Sequence, residues 1–145
     1  MKKLLGILSI MTILSSCATT TQYAKFARTD DKMESSENAK IYVLRPSVFG
    51  SAIKMKVFCN DDLIGKTGPK SYLCWEVKEG KHTIKSTSEN EEIIKINAKA
   101  GKIYYIKQVP QMGFVMAKVS LENLDEKEGQ AVLRKLKKPK LKFVE

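Results

Sequence analysis

Short apolar runs separated by turn residues fill the chain from Lys40 onward, and this pattern limits the fold more than any other feature of the sequence. From Ile53 to Cys59, apolar residues alternate with two lysines, as expected for a β-strand with one apolar face. Asn60-Asp61-Asp62 comes next, and such residues favour tight turns because they tolerate a left-handed backbone. Similar runs lie at residues 41–44, 71–77, 82–85, 92–97, 102–109 and 112–119.

These runs predict a mainly β fold, a small antiparallel β-sandwich of about seven strands, with a small barrel as the alternative. No helical segment lies between the strands to connect parallel neighbours, which favours antiparallel pairing. The folded domain is expected at residues 39–138, and a basic tail at residues 139–145.

One helix is expected near the C-terminal end of the domain. Asp125 and Glu128 have the spacing of a capping box, in which each residue binds the backbone N–H of the other. Leu133 and Leu136 lie at helical intervals and are expected to dock the helix on the sandwich. Pro139 is expected to stop it.

The N-terminal residues have the order of a secretory signal: Lys2 and Lys3, a mostly apolar run from Leu4 to Leu14, and then small residues. The run is shorter than the roughly 20 apolar residues that a bilayer-spanning helix needs. Leu14-Ser15-Ser16-Cys17 resembles the lipobox of bacterial lipoproteins, in which the cysteine receives a diacylglyceryl thioether. The resemblance implies a signal peptide at residues 1–16 and a lipid anchor at Cys17, and the alternative is an ordinary secreted protein.

Residues 17–38 are mostly polar and show no periodicity, so an acylated N-terminus and a flexible linker are expected there. Such a linker would reach about 25 Å on average. The lipobox resemblance implies export and anchoring to a membrane. Ala18 follows the cysteine where, in enterobacterial lipoproteins, an aspartate would mark inner-membrane retention. The implied location is therefore the periplasmic face of the outer membrane, with a Gram-positive surface as the alternative.

Several segments of the domain resemble known families, in particular Ala39-Lys40-Ile41-Tyr42-Val43-Leu44-Arg45-Pro46-Ser47, Tyr104-Tyr105, Met112-Gly113-Phe114 and Ser120-Leu121-Glu122. Their order and spacing resemble the bacterial lipoprotein-like family catalogued as domain of unknown function 2846, over nearly all of residues 39–136. Residues 57–65 and 77–84 also resemble the repeat unit of the PEGA family, a small β-sandwich module, although Glu79 stands where a proline usually precedes Gly80. These resemblances imply a fold and a location and bring no catalytic residues.

The candidate catalytic residues do not form a set. Gly65-Lys66-Thr67 looks like part of a phosphate-binding loop, but Asn60 stands where that motif needs a glycine. His82 is the single histidine, which excludes most zinc sites. It could serve Cys59 or Cys74 as a base, although an ordinary strand histidine is the preferred interpretation. No cofactor and no metal are therefore expected.

Met112, Phe114 and Met116 occupy alternate positions of a predicted strand. Thioethers can bind copper(I), but methionine more often fills gaps in a core. We therefore expect these side chains to pack inside the domain. Trp75 is likewise expected to be a core anchor.

Cys59 and Cys74 are candidates for a disulfide in an oxidising compartment. The enclosed loop is short, and closing it would contribute roughly 3 kcal/mol by constraining the unfolded chain. The alternative is a free core thiol at Cys59, which shares a face with Val57, whereas Cys74 alternates onto the face opposite Trp75.

The formal net charge of +10 suggests an anionic partner, with a solvated basic surface that has no specific partner as the alternative. Export argues against nucleic acid as that partner. Six basic residues near the C-terminus are the candidates for contact with an anionic envelope surface: Arg134, Lys135, Lys137, Lys138, Lys140 and Lys142. The alternative is a solubilising end in which Leu141, Phe143 and Val144 fold back as an edge strand.

The sequence is interpreted as that of a cell-envelope lipoprotein, a membrane-tethered and non-catalytic binding or structural module. Its expected partners are the membrane, through the lipid, and another envelope protein or an anionic envelope surface. The alternative function is that of an envelope enzyme acting on cell-wall or lipid material.

Overall fold

A computed structural model of the protein describes residues 20–23 and 36–142. These residues form ten strands and one helix. Their bounds are β1 Thr21–Tyr23, β2 Asn38–Arg45, β3 Met55–Cys59, β4 Asp62–Thr67, β5 Ser71–Lys78, β6 Gly80–Thr87, β7 Glu91–Ala98, β8 Ile103–Met112, β9 Ala117–Leu124, α1 Glu126–Leu133 and β10 Lys140–Lys142.

The strands form two sheets, and the predicted β-sandwich is confirmed. The larger sheet has the order β10-β1-β4-β3-β6-β7, and the smaller sheet has the order β5-β2-β8-β9. Most neighbours are antiparallel, but β2 pairs with β8 and β1 pairs with β10 in parallel. The long connection between β2 and β8 contains β3, β4, β6 and β7 of the larger sheet and β5 of the smaller one, so strands provide the crossover that a helix usually provides.

The core lies between the two sheets and is built from alternate residues of each strand. Trp75 and Ile41 of the smaller sheet pack with Val57, Ile64 and Ile84 of the larger sheet, and all five are 0% exposed. The expected role of Trp75 as a core anchor is confirmed. A second apolar cluster lies on the outer face of the smaller sheet, where α1 covers it.

The helix begins as the sequence predicts. Asp125 accepts a hydrogen bond from the backbone N–H of Glu128, and the Glu128 side chain accepts one from the backbone N–H of Asp125. Leu133 and Leu136 are half-buried against the outer cluster, which confirms the predicted docking. The helix ends at Leu133, however, because the backbone N–H groups of Lys135 and Leu136 bond to carbonyls three residues back.

Two boundaries differ from the prediction. Thr21–Tyr23, expected within a flexible linker, forms a strand inside the larger sheet, between β4 and β10. Lys140–Lys142, expected within a basic tail, forms the edge strand beside it, as the alternative for this segment predicted for Leu141; Phe143 and Val144 lie outside the described residues. The polar composition of Thr21–Tyr23 concealed the strand, because its buried groups are satisfied by hydrogen bonds and not by apolar packing.

The connecting segments define two ends of the sandwich. We call one of them the entry end, because the described chain enters the sheets there at Thr20; it comprises residues 46–54, 68–70, 88–90, 113–116 and 137–139. The opposite, far end comprises residues 36–37, 60–61, 79, 99–102 and 125. Asn60 and Asp61 have positive φ values of 49° and 68°, which confirms the predicted tight turn.

Candidate functional site at the entry end

Thr20 is fixed in the fold by buried hydrogen bonds. Its hydroxyl accepts a hydrogen bond from the backbone N–H of Gly68, at 2.8 Å, and is hydrogen-bonded to the hydroxyl of Ser71. Its carbonyl accepts a hydrogen bond from the backbone N–H of Lys140, at 3.1 Å. Thr20 is 4% exposed, so the chain is already part of the rigid domain at this residue.

Gln22 attaches β1 to the smaller sheet. Its side-chain amide donates to the carbonyl of Cys74 and accepts from the N–H of the same residue, at 3.3 Å. Because β5 is an edge strand, these two bonds satisfy backbone groups that have no neighbouring strand. Asn90 likewise satisfies backbone groups of β9, the other edge strand of the smaller sheet. Its side-chain amide accepts from the N–H of Val119 at 2.7 Å and donates to the carbonyl of Val119 at 2.9 Å.

Gly65 of β4 allows β1 to lie this close. A Cβ atom at Gly65 would sit 2.9 Å from the Cα of Gln22 and 3.0 Å from Cδ2 of Leu73, and closer still to the carbonyl oxygen of Thr21. Glycine is therefore required for packing here. Gly65-Lys66-Thr67, where the sequence already argues against a phosphate-binding loop, lies within a paired strand.

Arg45 organises the loop between β2 and β3. Its buried guanidinium donates to four backbone carbonyls, those of Ile53 at 2.7 Å, Thr67 at 3.1 Å, Phe49 at 3.2 Å and Gly50 at 2.8 Å. Burial lowers the pKa of Arg45 to about 10, so the guanidinium stays charged at neutral pH. It therefore fixes the backbone of residues 49–53.

A buried polar chain joins the two sheets near the entry end. Gln108 of β8 is 0% exposed, and its amide is hydrogen-bonded at 2.5 Å to Thr67 of β4 on one side and at 2.5 Å to Ser86 of β6 on the other. These bonds cross the space between the sheets. They fix the position of one sheet relative to the other at this end.

The described loops at the two ends differ in charge. Those of the entry end carry four exposed lysines and one acid, namely Lys54, Lys70, Lys137, Lys138 and Glu89. Those of the far end carry four acids and two lysines, namely Glu37, Asp61, Glu79, Asp125, Lys99 and Lys102. The positive charge of the loops is therefore concentrated where the chain enters.

The six predicted basic contact residues are all exposed. The structure brings three of them to the entry end: the N–H of Lys137 donates to the carbonyl of Lys70, that of Lys140 to the carbonyl of Thr20, and Lys138 lies between them. Arg134 and Lys135 lie just after α1, and Lys142 lies at the end of β10. Their contact with an anionic surface stays a prediction.

The expectation that Met112, Phe114 and Met116 are buried is wrong. Their exposed fractions are 82%, 96% and 49%, and Val115 is 81% exposed. The strand predicted at residues 112–119 is in fact the end of β8, a connecting turn and the start of β9 at Ala117. The alternation of the sequence is real, but these residues lie beyond the edge of the sandwich, where there is no core to receive them.

Glu89 holds this turn in shape. Its carboxylate accepts hydrogen bonds from three successive backbone N–H groups: Phe114 at 2.9 Å, Val115 at 3.1 Å and Met116 at 2.9 Å. The bonds from Met116 and Phe114 are the main causes that lower the pKa of Glu89. The ionised carboxylate thus acts as a clamp, and the side chains of the turn point away from it.

The two described cysteines are free thiols, which corrects the predicted disulfide. Cys59 packs in the core between the sheets, whereas Cys74 packs on the outer face of the smaller sheet with Tyr42 and Tyr105. A sheet therefore separates the two side chains. Burial raises the pKa of Cys59, which makes it a poor nucleophile. Cys17, the predicted lipidation site, lies outside the described residues.

His82 is held by two hydrogen bonds at the far end. Nδ1 is 2.9 Å from the side-chain nitrogen of Asn60, and Nε2 is 2.8 Å from the carbonyl oxygen of Lys78. Both ring nitrogens are used by the fold, which supports the interpretation of an ordinary strand histidine. Within the described residues, no group of three or more His, Cys, Asp or Glu side chains could hold a metal ion.

A cleft of about 480 Å³ lies between the outer face of the smaller sheet and the segment after α1. Tyr42, Tyr72 and Tyr105 line it, and the rings of Tyr42 and Tyr105 stack with their centroids 5.4 Å apart. Arg134 and Lys138 also line this cleft and are exposed. Apolar walls with a few charged groups are typical of sites that bind small molecules or peptide side chains.

Several residues that build the entry end carry no recognisable signal in the sequence. Arg45 stands at the end of an apolar run where a surface residue is expected, and Glu89 and Asn90 read as ordinary turn residues. Gln22 lies in a polar segment with no periodicity. Each binds backbone groups outside its own element, and the three-dimensional fold brings these groups near.

The protein is thus a two-sheet β-sandwich domain whose entry end carries a basic and partly apolar surface. Within the described residues, no helix is both long enough and apolar enough to cross a membrane. The chain belongs to the family described as protein of unknown function DUF2846, whose profile matches residues 35–120. This confirms the family resemblance, and the PEGA resemblance stays a prediction.

A protein of Haemophilus influenzae described as an uncharacterized protein is similar to this chain. The two are 30% identical over an alignment of 135 residues, and the alignment covers 90% of this chain and 80% of the relative. The similarity therefore extends beyond the segment matched by the family profile.

Proposed function

We propose that the protein is a lipid-anchored module of the bacterial cell envelope, tethered through Cys17 and held with its entry end toward the membrane. The observation that carries this proposal is the position of Thr20, which is buried and hydrogen-bonded at the entry end only three residues after the lipobox-like cysteine. The module acts by binding or by a structural role, not by catalysis.

The short tether restricts the orientation of the domain. Three residues span at most about 11 Å when fully extended. A lipid on Cys17 would therefore keep Thr20 within that distance of the lipid headgroups. A flexible linker over all of residues 17–38 would leave the domain free to rotate. The short tether from Cys17 to Thr20 instead favours the orientation in which the entry end faces the bilayer.

The charge of the entry end supports the same orientation. Lys70, Lys137, Lys138 and Lys140 are exposed around Thr20. Each basic residue close to an anionic membrane surface contributes about 1 kcal/mol, and the effect fades within about one Debye length. Because Ala18 follows the cysteine, we infer the periplasmic face of an outer membrane as the location.

A partner would meet the surfaces that face away from the membrane. The part of the tyrosine cleft that lies away from Lys138 is one such surface, since it combines the tyrosine rings with the exposed cation of Arg134. Another envelope protein is the partner class that this surface suits. The enzyme alternative gains no support, because both nitrogens of His82 are hydrogen-bonded within the fold.

The test is the substitution Cys17→Ser in cells labelled with palmitate, followed by fractionation. The expected result is loss of the label and failure of processing, because serine cannot accept the thioether lipid. Cys59→Ala is the matched control, since it removes a buried thiol and should keep both the label and the membrane location. A Cys17→Ser protein that still carries palmitate would overturn the proposal.

A further inference from the structure

We propose that an apolar tip at the entry end inserts into the interfacial layer of the same membrane and fixes the domain at a second point. The apolar tip consists of Met112, Phe114, Val115 and Met116 of the β8–β9 turn, together with Val48 and Phe49 of the β2–β3 loop. This inference rests on the proposed function, because the anchor at Cys17 determines which end of the sandwich faces the bilayer.

The exposure of these side chains is the first argument. Phe114 is 96% exposed, Met112 is 82% exposed, and Val48 and Phe49 are 58% and 46% exposed. Single exposed apolar residues are ordinary, but a group of them marks an interaction surface. The two loops are neighbours, since a Cβ atom at Gly50 would lie 3.3 Å from the Cβ of Ala117, the first residue of β9.

Several backbone groups of both loops are also hydrogen-bonded within the domain. Glu89 accepts from the N–H groups of residues 114–116, and Arg45 donates to the carbonyls of Phe49 and Gly50. Unpaired peptide groups are costly to move out of water, so these bonds lower the cost of inserting the loops into an apolar layer. They also hold the apolar side chains outward.

The position of the tip and the charges beside it point to a membrane as the occupant. The tip lies at the same end as Thr20, so a lipid on Cys17 would bring it to the membrane surface without any further contact. Lys54 and Lys118 lie beside the tip, and both are exposed. Aromatic and aliphatic side chains surrounded by lysines are typical of segments that bind the interface of anionic membranes.

The experiment uses the substitution Phe114→Trp in the full-length protein, isolated from membranes and reconstituted in vesicles. The vesicles contain phosphatidylglycerol and phosphatidylcholine, with part of the phosphatidylcholine brominated in its acyl chains. The matched control is Ile103→Trp, at the far end of the same strand. The buried Trp75 is common to both proteins, and its emission is subtracted with the unsubstituted protein.

We expect the added tryptophan of the Phe114→Trp protein to shift its emission to the blue and to lose more than half of its intensity to brominated lipid. The added tryptophan of the Ile103→Trp protein should change little. Equal and weak quenching in the two proteins would overturn the inference. Strong quenching in the Ile103→Trp protein alone would overturn both the inference and the proposed orientation.

The same samples separate this inference from the proposed anchor. Mass spectrometry of each preparation shows whether Cys17 carries lipid, whatever the fluorescence result. A lipidated Phe114→Trp protein without quenching refutes the tip and keeps the anchor. If Cys17 carries no lipid, the anchor is refuted, and the Phe114→Trp protein is then simply mixed with the vesicles. Quenching of its added tryptophan in this mixture supports insertion of the tip, and no quenching refutes insertion. Protection of Phe114 only when other envelope proteins are added would also refute the lipid as its partner.

Discussion

Gly65→Ala should release β1 from the larger sheet, and this substitution tests how the chain enters the domain. The added Cβ would collide with the backbone of Thr21 and Gln22, which cannot move without breaking the β1–β4 pairing. The flexible end of a long side chain could give way, but a paired backbone cannot. We therefore expect local loss of β1 with the remaining sandwich intact.

The magnitude is taken from the hydrogen bonds that the side chains of Thr20 and Gln22 make to backbone groups outside the larger sheet. Gln22 forms two bonds with the backbone of Cys74, and Thr20 accepts one from Gly68. At a net value of about 1 kcal/mol for each bond, Gly65→Ala should lower the free energy of unfolding by about 3 kcal/mol. By the same reasoning, Gln22→Ala alone should lower it by about 2 kcal/mol.

A double-mutant cycle measured by urea unfolding makes this reasoning refutable. If Gly65→Ala already removes β1, adding Gln22→Ala should cost almost nothing, so the double variant should lose about 3 kcal/mol instead of about 5 kcal/mol. Lys66→Ala, a neighbour on the opposite face of the same strand, is the control and should change stability by less than about 0.5 kcal/mol. Additive losses, or a Gly65→Ala protein as stable as the unsubstituted one, would refute the account of β1.

Three further predictions concern the entry end and the helix. Arg45→Met should lower the free energy of unfolding by about 2–4 kcal/mol, because it removes four buried or partly buried hydrogen bonds to backbone carbonyls, and a loss under about 0.5 kcal/mol in urea would contradict this. Glu89→Gln should speed hydrogen exchange of the Phe114–Met116 amides, and unchanged exchange would argue against the clamp. Because the fold lowers the pKa of Glu89, the stabilising effect of the carboxylate is complete above its ordinary pKa of 4.5 and is lost as the pH falls through the lowered value. Gly129→Ala should cost about 1–3 kcal/mol and alter the near-ultraviolet circular dichroism of the tyrosines, because its Cβ would lie 2.6 Å from the Cβ of Tyr105; an unaltered spectrum would show that α1 does not need glycine there.

The sequence predicted those parts of the fold in which local chemistry and packing agree. The alternation around Val57 produced a real strand, Asn60 and Asp61 produced the expected turn, and Asp125 and Glu128 produced the expected cap. In each case one short stretch of chain contains the whole cause. The family membership could likewise be predicted, because it depends on residues whose order is visible in the sequence.

The parts that could not be predicted depend on distant backbone. β1 has the sequence Thr-Gln-Tyr and no apolar alternation, and it exists because Gly65 leaves room for it and because Cys74 needs a hydrogen-bonding partner. The residues around Phe114 have the alternation of a buried strand, yet they lie beyond the edge of the core. Periodicity gives the face of a strand, but not whether another layer covers that face.

The most direct test of the central claim is the mass of the first tryptic peptide of the protein isolated from membranes. We expect a chain that begins at Cys17, so this peptide should be residues 17–25 with a diacylglyceryl group on the cysteine sulfur. An unmodified peptide that runs continuously across Ser16 and Cys17 would contradict it, because the domain would then have no lipid anchor beside its entry end.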